Sequence, residues 1–263
     1  ERGRHVRRRA RRHRRPAERR PHVLQVIHSF DVPGGTELHT RKLVDGLAER
    51  YRFSVMYPGK ARQSKAHDYI EFHVERRAEH LRVAELRGRN VVAGESFLGV
   101  AADLDNAVVE ENFTRFVAGG DYDIVHFQHL AHWDSLMLPI IAKALGKRVA
   151  VTLHDYYLLC PEYNLILPQY KRCGKTAARG DDPQCLRCLG AKRDIKGHEP
   201  PQALDRYLAE RKSVVRQMLA AADVLIAPST FVRERFRAAF GADVAARIRV
   251  VPHGVMVTKR SPR

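Results

Sequence analysis

An α/β fold, a parallel sheet with helices on both faces, is what the 263-residue sequence predicts. Three observations predict it. Short Val- and Ile-rich runs alternate with stretches of helical apolar spacing from residue 21 to residue 251. A turn, Pro33-Gly34-Gly35, joins the first such run to the first helical stretch. Hydrophobic residues make up 44% and charged residues 29%, the balance of a globular chain that buries a core, as one large domain or two small ones.

Each element follows in order. Residues 22–28 are a short apolar run and read as a buried strand. Leu38, Leu43, Leu47 and Ala48 recur near helical spacing, which predicts a helix over 36–50. Residues 53–57 give a second strand, ended by Pro58-Gly59, so the chain opens on a βαβ unit. A strand is expected over 69–74, and Val91-Val92 in another. Leu104, Ala107, Val108, Phe113 and Phe116 predict a helix over 103–118, stopped by Gly119-Gly120. A strand at 124–127, a helix at 133–145 ending at Gly146, and a strand at 148–154 continue the alternation. Residues 155–200 interrupt it with prolines, glycines and all four cysteines, a length that needs something to organise it. Leu204, Leu208, Val215 and Leu219 share one face of a long helix over 202–222. A strand at 224–227, a helix at 230–240 and a strand at 248–251 complete the series, closed by Pro252-His253-Gly254. No internal repeat is present.

Charge separates a tail from a body. Residues 1–20 hold eleven Arg against Glu1 and Glu18, and so carry +9 of the formal +17. Such a run is expected to be solvated and disordered, an Arg-rich extension without function of its own, with contact to nucleic acid or anionic lipid as the alternative its charge would suit. No run of about 18 apolar residues occurs, and no apolar segment of signal type follows the basic start, so neither a spanning helix nor a secretory signal is expected.

Three features could carry chemistry. The loop Gly34-Gly35-Thr36-Glu37 opens a helix, where small residues and unpaired N–H groups suit a phosphate; plain turn chemistry is the alternative. His28-Ser29, His126 with Gln128 and His129, and His154-Asp155 follow three strands, which puts them on one rim of a parallel sheet as a polar site. Cys160, Cys173, Cys185 and Cys188 fall within 29 residues and close on a CxxC pair. That spacing fits a structural zinc, redox-labile or disulfide-paired thiols, or an iron–sulfur cluster, and leaves unligated thiols as a further reading. A zinc ion held by all four thiolates would have every position filled by protein, and so would be structural rather than catalytic.

Five segments in this order resemble family 4 glycosyltransferases. They are the first strand with Gly34, Gly35 and Glu37 and its helix; Asp123-Ile-Val-His126 through Leu136; Val151-Thr-Leu-His-Asp155 with Leu159-Cys-Pro161; Ala222 to Ser229; and Val250 to Val255. The resemblance covers residues 22–256. It implies the GT-B arrangement of two Rossmann-like domains, of which this chain would be the N-terminal, acceptor-side one. Transfer from a nucleotide-sugar to a glycan or lipid-linked acceptor, with retention and without a catalytic metal, is implied with it. His129, Gln128 and His154 would act at the reacting centre; Gly34, Gly35, Thr36, Glu37, Asp155 and Ser229 would bind substrate. Two departures stand out. Gln128 occupies the place where many members carry a second His, with His129 after it, and the crossover reads Pro252-His253-Gly254 rather than PNG.

The organisation expected is an Arg-rich tail at 1–20, a Rossmann-like domain at 21–256 with a four-cysteine insertion at 155–200, and a basic tail at 257–263 with no donor-binding domain after it. Either a truncated gene product or a chain that works with a separately encoded donor-binding half is then expected. Cytoplasmic placement, peripheral at an anionic inner-membrane face, follows from charge and family habit together. The competing reading is a basic nucleic-acid-binding or scaffold protein, built on a four-cysteine knuckle and without catalysis. It is disfavoured because the basic residues near the cysteines lack an interleaved set of stacking aromatics.

Overall fold

The computed structural model describes residues 19–59, 71–87, 104–175, 182–192 and 201–254. In chain order the elements are β1 (His22–Val26), α1 (Gly35–Gly46), β2 (Arg52–Pro58), β3 (Glu71–Ala78), β4 (Leu81–Arg87), α2 (Ala107–Gly119), β5 (Ile124–Phe127), α3 (Leu138–Ala144), β6 (Arg148–Thr152), α4 (Pro183–Lys192), α5 (Pro201–Ala221), β7 (Val224–Ala227), α6 (Thr230–Phe240), α7 (Ala242–Arg247) and β8 (Ile248–Val250). The strands form one sheet in the order β3-β4-β2-β1-β5-β6-β7-β8. All neighbours run parallel except β3 and β4. The α/β class and its parallel sheet are therefore as the sequence predicts.

The strand order has one consequence for function. From β1 the chain builds outward through β2 to β4 and β3, then returns to the other flank of β1 with β5 and builds out to β8. The order reverses between β1 and β5. In open α/β sheets, a crevice forms at such a switch point beyond the carboxyl ends of the strands. The register pairs Val26 with Phe127 and Phe127 with Val151, so His28, Gln128, His129 and His154 all emerge at that end.

Alternation of side chains divides the core into two layers. Leu24 and Val26 of β1 join a large cluster with Phe113, Phe127, Trp133, Leu208 and Phe236. Val23 and Ile27 join a smaller one with Val44 of α1, Phe53, Val55 and Val83. Leu204, Leu208, Val215 and Leu219 of α5 are all buried, as their spacing requires. Three acidic residues fasten the other end of the sheet. Asp123 and Asp223 precede β5 and β7 and accept the backbone N–H groups of His22 (2.7 Å) and Val149 (2.8 Å). Asp121 takes Arg52 and His22, and the Arg52 hydrogen bond leads the causes that hold its carboxyl well below the usual range. The aspartates of the Asp-Ile-Val-His and Ala-Asp-Val-Leu segments are thus structural.

The structure also differs from the sequence expectation in places. Two consecutive strands, β3 and β4, form an antiparallel hairpin at the sheet edge where a single strand at 69–74 is expected. Glu75, Arg76 and Arg77 are exposed there, and charge on an edge strand hides its alternation while discouraging further pairing. Val91 and Val92 lie outside the described residues. Helix α3 starts at Leu138 rather than 133, because Trp133 is fully buried in a loop whose flanking His132 and Asp134 take left-handed backbone. Helices α4 and α7 are additions. Of the basic tail only Arg19 and Arg20 are described, and both bond the body: Arg19 to Asp121 and Asp123, Arg20 to the Ala48 carbonyl at 2.9 Å. None of the described helices is long and apolar enough to cross a membrane.

Candidate active site

The strand ends after β5 and β6 deliver two interlocked polar pairs. His129 stands 2.9 Å from Asp155 through Nε2, while its Nδ1 accepts the Ala131 backbone N–H at 3.0 Å. An Nδ1 that accepts cannot carry the proton, so His129 is the Nε2–H tautomer and donates to the Asp155 carboxylate. Asp155 also accepts the Tyr157 backbone N–H at 2.8 Å. Burial raises the Asp155 carboxyl, but the His129 and Tyr157 hydrogen bonds outweigh it, and the group stays ionised below its ordinary range. Its side chain remains 37% exposed, against 9% for His129.

The second pair is His154 with Gln128. His154 Nε2 lies 2.7 Å from Gln128 Oε1, and the Gln128 amide donates to Gln25 Oε1 at 2.9 Å. His154 Nδ1 is then the acceptor for His253 Nε2 at 3.1 Å. One chain of hydrogen bonds thus runs from exposed His253, beyond β8, inward to Gln25 on β1. Burial, then the neighbouring His253 and His39, drive the His154 pKa far down to about 2. His39 of α1 closes this corner, its ring 4.1 Å from that of His253 and 5.1 Å from that of His154. His126 lies deeper, bonded to Thr152 Oγ1 at 2.8 Å, and burial holds it near 4. A small hollow, partly open to solvent, is lined by Gln128, His129, His154, Asp155 and Tyr157.

The N-terminus of α1 forms the adjoining wall. Gly34 is its N-cap, with φ −156°, a backbone open to any residue. The Glu37 carboxylate folds back over it, so that a Cβ on Gly34 would lie 2.2 Å from Oε2 and the Glu37 side chain would have to move. Glu37 is buried, with His28 Nε2 3.1 Å from its other oxygen. Burial and the facing His129 and His132 hold His28 neutral, near 3. Gly34→Ala is expected to destabilise the chain by about 1–3 kcal/mol, because it must push a buried carboxylate off its partner. Gly35→Ala meets nothing within 4 Å and should cost little. Urea denaturation of the two variants compares them directly.

The remaining candidate residues divide. Thr36 is partly exposed in the first turn of α1. Ser229 spends its hydroxyl capping α6, accepting the Val232 N–H at 3.3 Å. Gln128 is 1% exposed, and its amide is bonded within the protein at both ends. Of the group, Asp155 keeps the most exposed charged atoms on the rim. His39 and His132 carry no strand-end signal in the sequence; only packing brings them here. His253 does carry it, three residues beyond β8. Beside this rim, Asp31, Tyr57, His73, Glu75 and Arg77 line a second, polar hollow, with Asp31 bonded by Tyr57 at 2.9 Å and by Arg77.

The four cysteines line a separate cavity. Cys160, Cys173, Cys185 and Cys188 line one cavity, partly open to solvent, with Pro161, Leu165 and Leu189. All are half-buried thiols. Burial pushes the Cys160 thiol up to about 11.

Residues 33–259 match the model of the family described as Glycosyltransferase Family 4. No curated protein matches the chain. Among solved structures it is similar to trehalose-6-phosphate from E. coli bound with UDP-2-fluoro glucose, at 13% identity over 89% of this chain and 49% of that one, with a TM-score of 0.41. It is similar to Phytolacca americana UGT2 complexed with UDP-2fluoro-glucose and pterostilbene, at 10% identity over 91% and 54%, TM-score 0.40. It is also similar to Medicago truncatula UGT71G1 complexed with UDP-glucose, at 9% identity over 88% and 51%, TM-score 0.42. The chain spans about half the length of each of these three.

Proposed function

This chain belongs to glycosyltransferase family 4, and from that premise we propose that it forms the acceptor-side wall of a retaining transferase. The sugar passes from a nucleotide-sugar to a glycan or lipid-linked acceptor. The bond from the anomeric carbon to the leaving phosphate oxygen breaks, a bond to the acceptor oxygen forms, and the acceptor hydroxyl gives up its proton. A donor-binding domain, on this polypeptide or another, supplies the facing wall.

The observation that carries this reading is the convergence, at the switch point, of the His129–Asp155 and His154–Gln128 pairs beside the exposed start of α1. Asp155 is the group that touches substrate, its fixed carboxylate accepting a sugar hydroxyl. His129 and Gln128 are positioning residues, which hold Asp155 and His154 in one orientation. The exposed backbone at Gly34 and Gly35 leaves the helix N-terminus open to a diphosphate. Neutral imidazoles at His154 and His39 suit hydroxyls rather than a competing anion. The polar hollow around Asp31 and Arg77 extends the surface available to a long acceptor.

The test is a titration of the 263-residue chain with neutral oligosaccharides and with UDP- and GDP-sugars, following amide NMR shifts and donor consumption. Oligosaccharide binding that perturbs the rim, without donor turnover, is expected. Asp155→Asn should weaken that binding about 10-fold, the value of one charge-assisted hydrogen bond. Sugar transfer by the chain unaided would overturn the division of labour. Rim amides indifferent to every sugar would overturn the site.

A further inference from the structure

The cysteine cavity lies outside the rim and takes no part in the proposed transfer. We propose that Cys160, Cys173, Cys185 and Cys188 hold one structural zinc ion. Three separate pieces of chain bring them to the same cavity. Cys185 and Cys188 stand three apart on α4, which places both on one helix face. Cys173 is held by its backbone N–H on the Leu165 carbonyl at 2.7 Å, beside the isolated bridge between Ile166 and Arg172. Cys160 follows a turn in which its own N–H bonds the Tyr156 carbonyl at 2.7 Å.

The four thiols share one cavity with the apolar Pro161, Leu165, Leu167 and Leu189 and with the polar Lys175 and Gln184. A borderline-soft ion with tetrahedral preference satisfies all four sulfurs together. Four S–Zn bonds form as four thiol protons pass to solvent, with no change of oxidation state. The cluster then carries two negative charges. Two cations stand near the cluster: Arg211, only 3% exposed, by Cys160, and Lys175, which lines the same cavity.

Among the described residues, no set of three or more His, Cys, Asp or Glu side chains is already arranged to hold an ion. Binding therefore requires the thiols to turn inward until the sulfurs are roughly 3.8 Å apart, the edge of a tetrahedron with arms of about 2.3 Å. The site explains how the loop between Cys160 and Cys173 tolerates left-handed backbone at Tyr163, Leu165 and Tyr170. It also reaches the rim. Cys160 anchors to Tyr156, Tyr157 bonds Asp155, and Arg211 of α5 donates to the Tyr157 carbonyl at 2.8 Å. The ion would thus pin the segment that orients Asp155.

Elemental analysis and native mass spectrometry of the full chain decide the matter. One zinc per chain is expected, with all four cysteines protected from alkylation until a chelator removes it. Replacement by cobalt(II) should give thiolate-to-metal charge transfer and the intense visible bands of a tetrahedral site. Cys188→Ser should lower zinc affinity at least 10-fold, with far-ultraviolet circular dichroism reporting the fold, since one of four thiolate ligands is lost (about 10-fold or more). If that variant fails to fold, the stoichiometry and protection of the unaltered chain still decide. A folded, metal-free chain with four reactive thiols would overturn the proposal. So would a mass lower by two hydrogens per disulfide, or bound iron with sulfide.

Discussion

Trp133→Ala is expected to destabilise the chain by about 3–5 kcal/mol, against a total of about 5–15 kcal/mol for a typical domain. Trp133 is the single tryptophan and is fully buried. Truncation removes the largest buried side chain and leaves a cavity in the main core. It also removes the indole N–H that donates to the Ile27 carbonyl at 3.0 Å. That bond ties the loop after β5 to the end of β1, the two segments that flank the switch point. Trp133→Phe should cost less, since the ring remains and chiefly the hydrogen bond is lost, about 1 kcal/mol with a further penalty for the orphaned carbonyl. Urea denaturation followed by far-ultraviolet circular dichroism measures both. Equal costs would show that the hydrogen bond, not the volume, dominates. In the unaltered chain the same residue is a reporter, with emission blue-shifted in the native state and moving red on unfolding.

Acidification is the second large effect. His126 is buried and neutral, its pKa lowered from 6.5 to about 4 by burial. In the unfolded chain it takes a proton near 6.5. The unfolded state therefore binds the proton first as pH falls, and stability present above about 6.5 declines toward about 4, by about 1.4 kcal/mol per pH unit. That is about 2 kcal/mol for His126 alone by about pH 5. His28, held near 3, and His154, held near 2, act in the same direction. Below about pH 4 the depressed carboxyls of Asp155, Asp31 and Asp223 add a further loss, since each contributes stability only while ionised. Urea midpoints at pH 7.5, 6 and 5 should fall steadily, and His126→Asn should flatten the slope by about one proton. A midpoint unchanged from pH 7.5 to 5 would mean that these imidazoles are not neutral in the fold.

Much of the site was legible in the sequence because a parallel sheet sends every strand in the same direction. A polar residue just after an apolar run then lands on one rim whatever the strand order, and His28, His126, Gln128, His129 and His154 were readable in that way. Their orientation was not readable. At a strand end the chain leaves the pleat, so period-two alternation no longer says which neighbour faces inward; the structure buries Gln128 and leaves Asp155 open. His39 depended on how α1 packs beside His154 and His253, which lie far from it in the chain. The β3–β4 hairpin was obscured by edge charges, and α4 by the prolines and glycines around it.

Local periodicity, set by the geometry of strands and helices, determined from the sequence alone that this protein is α/β, where most elements fall, and which residues crowd the rim. Only the tertiary structure decided the sheet order with its switch point between β1 and β5, the partners and exposure of the rim residues, and the meeting of four cysteines in one cavity. Those depend on contacts between residues far apart in the chain. No local pattern encodes such contacts, because they are selected by the burial of whole faces rather than by any one neighbour.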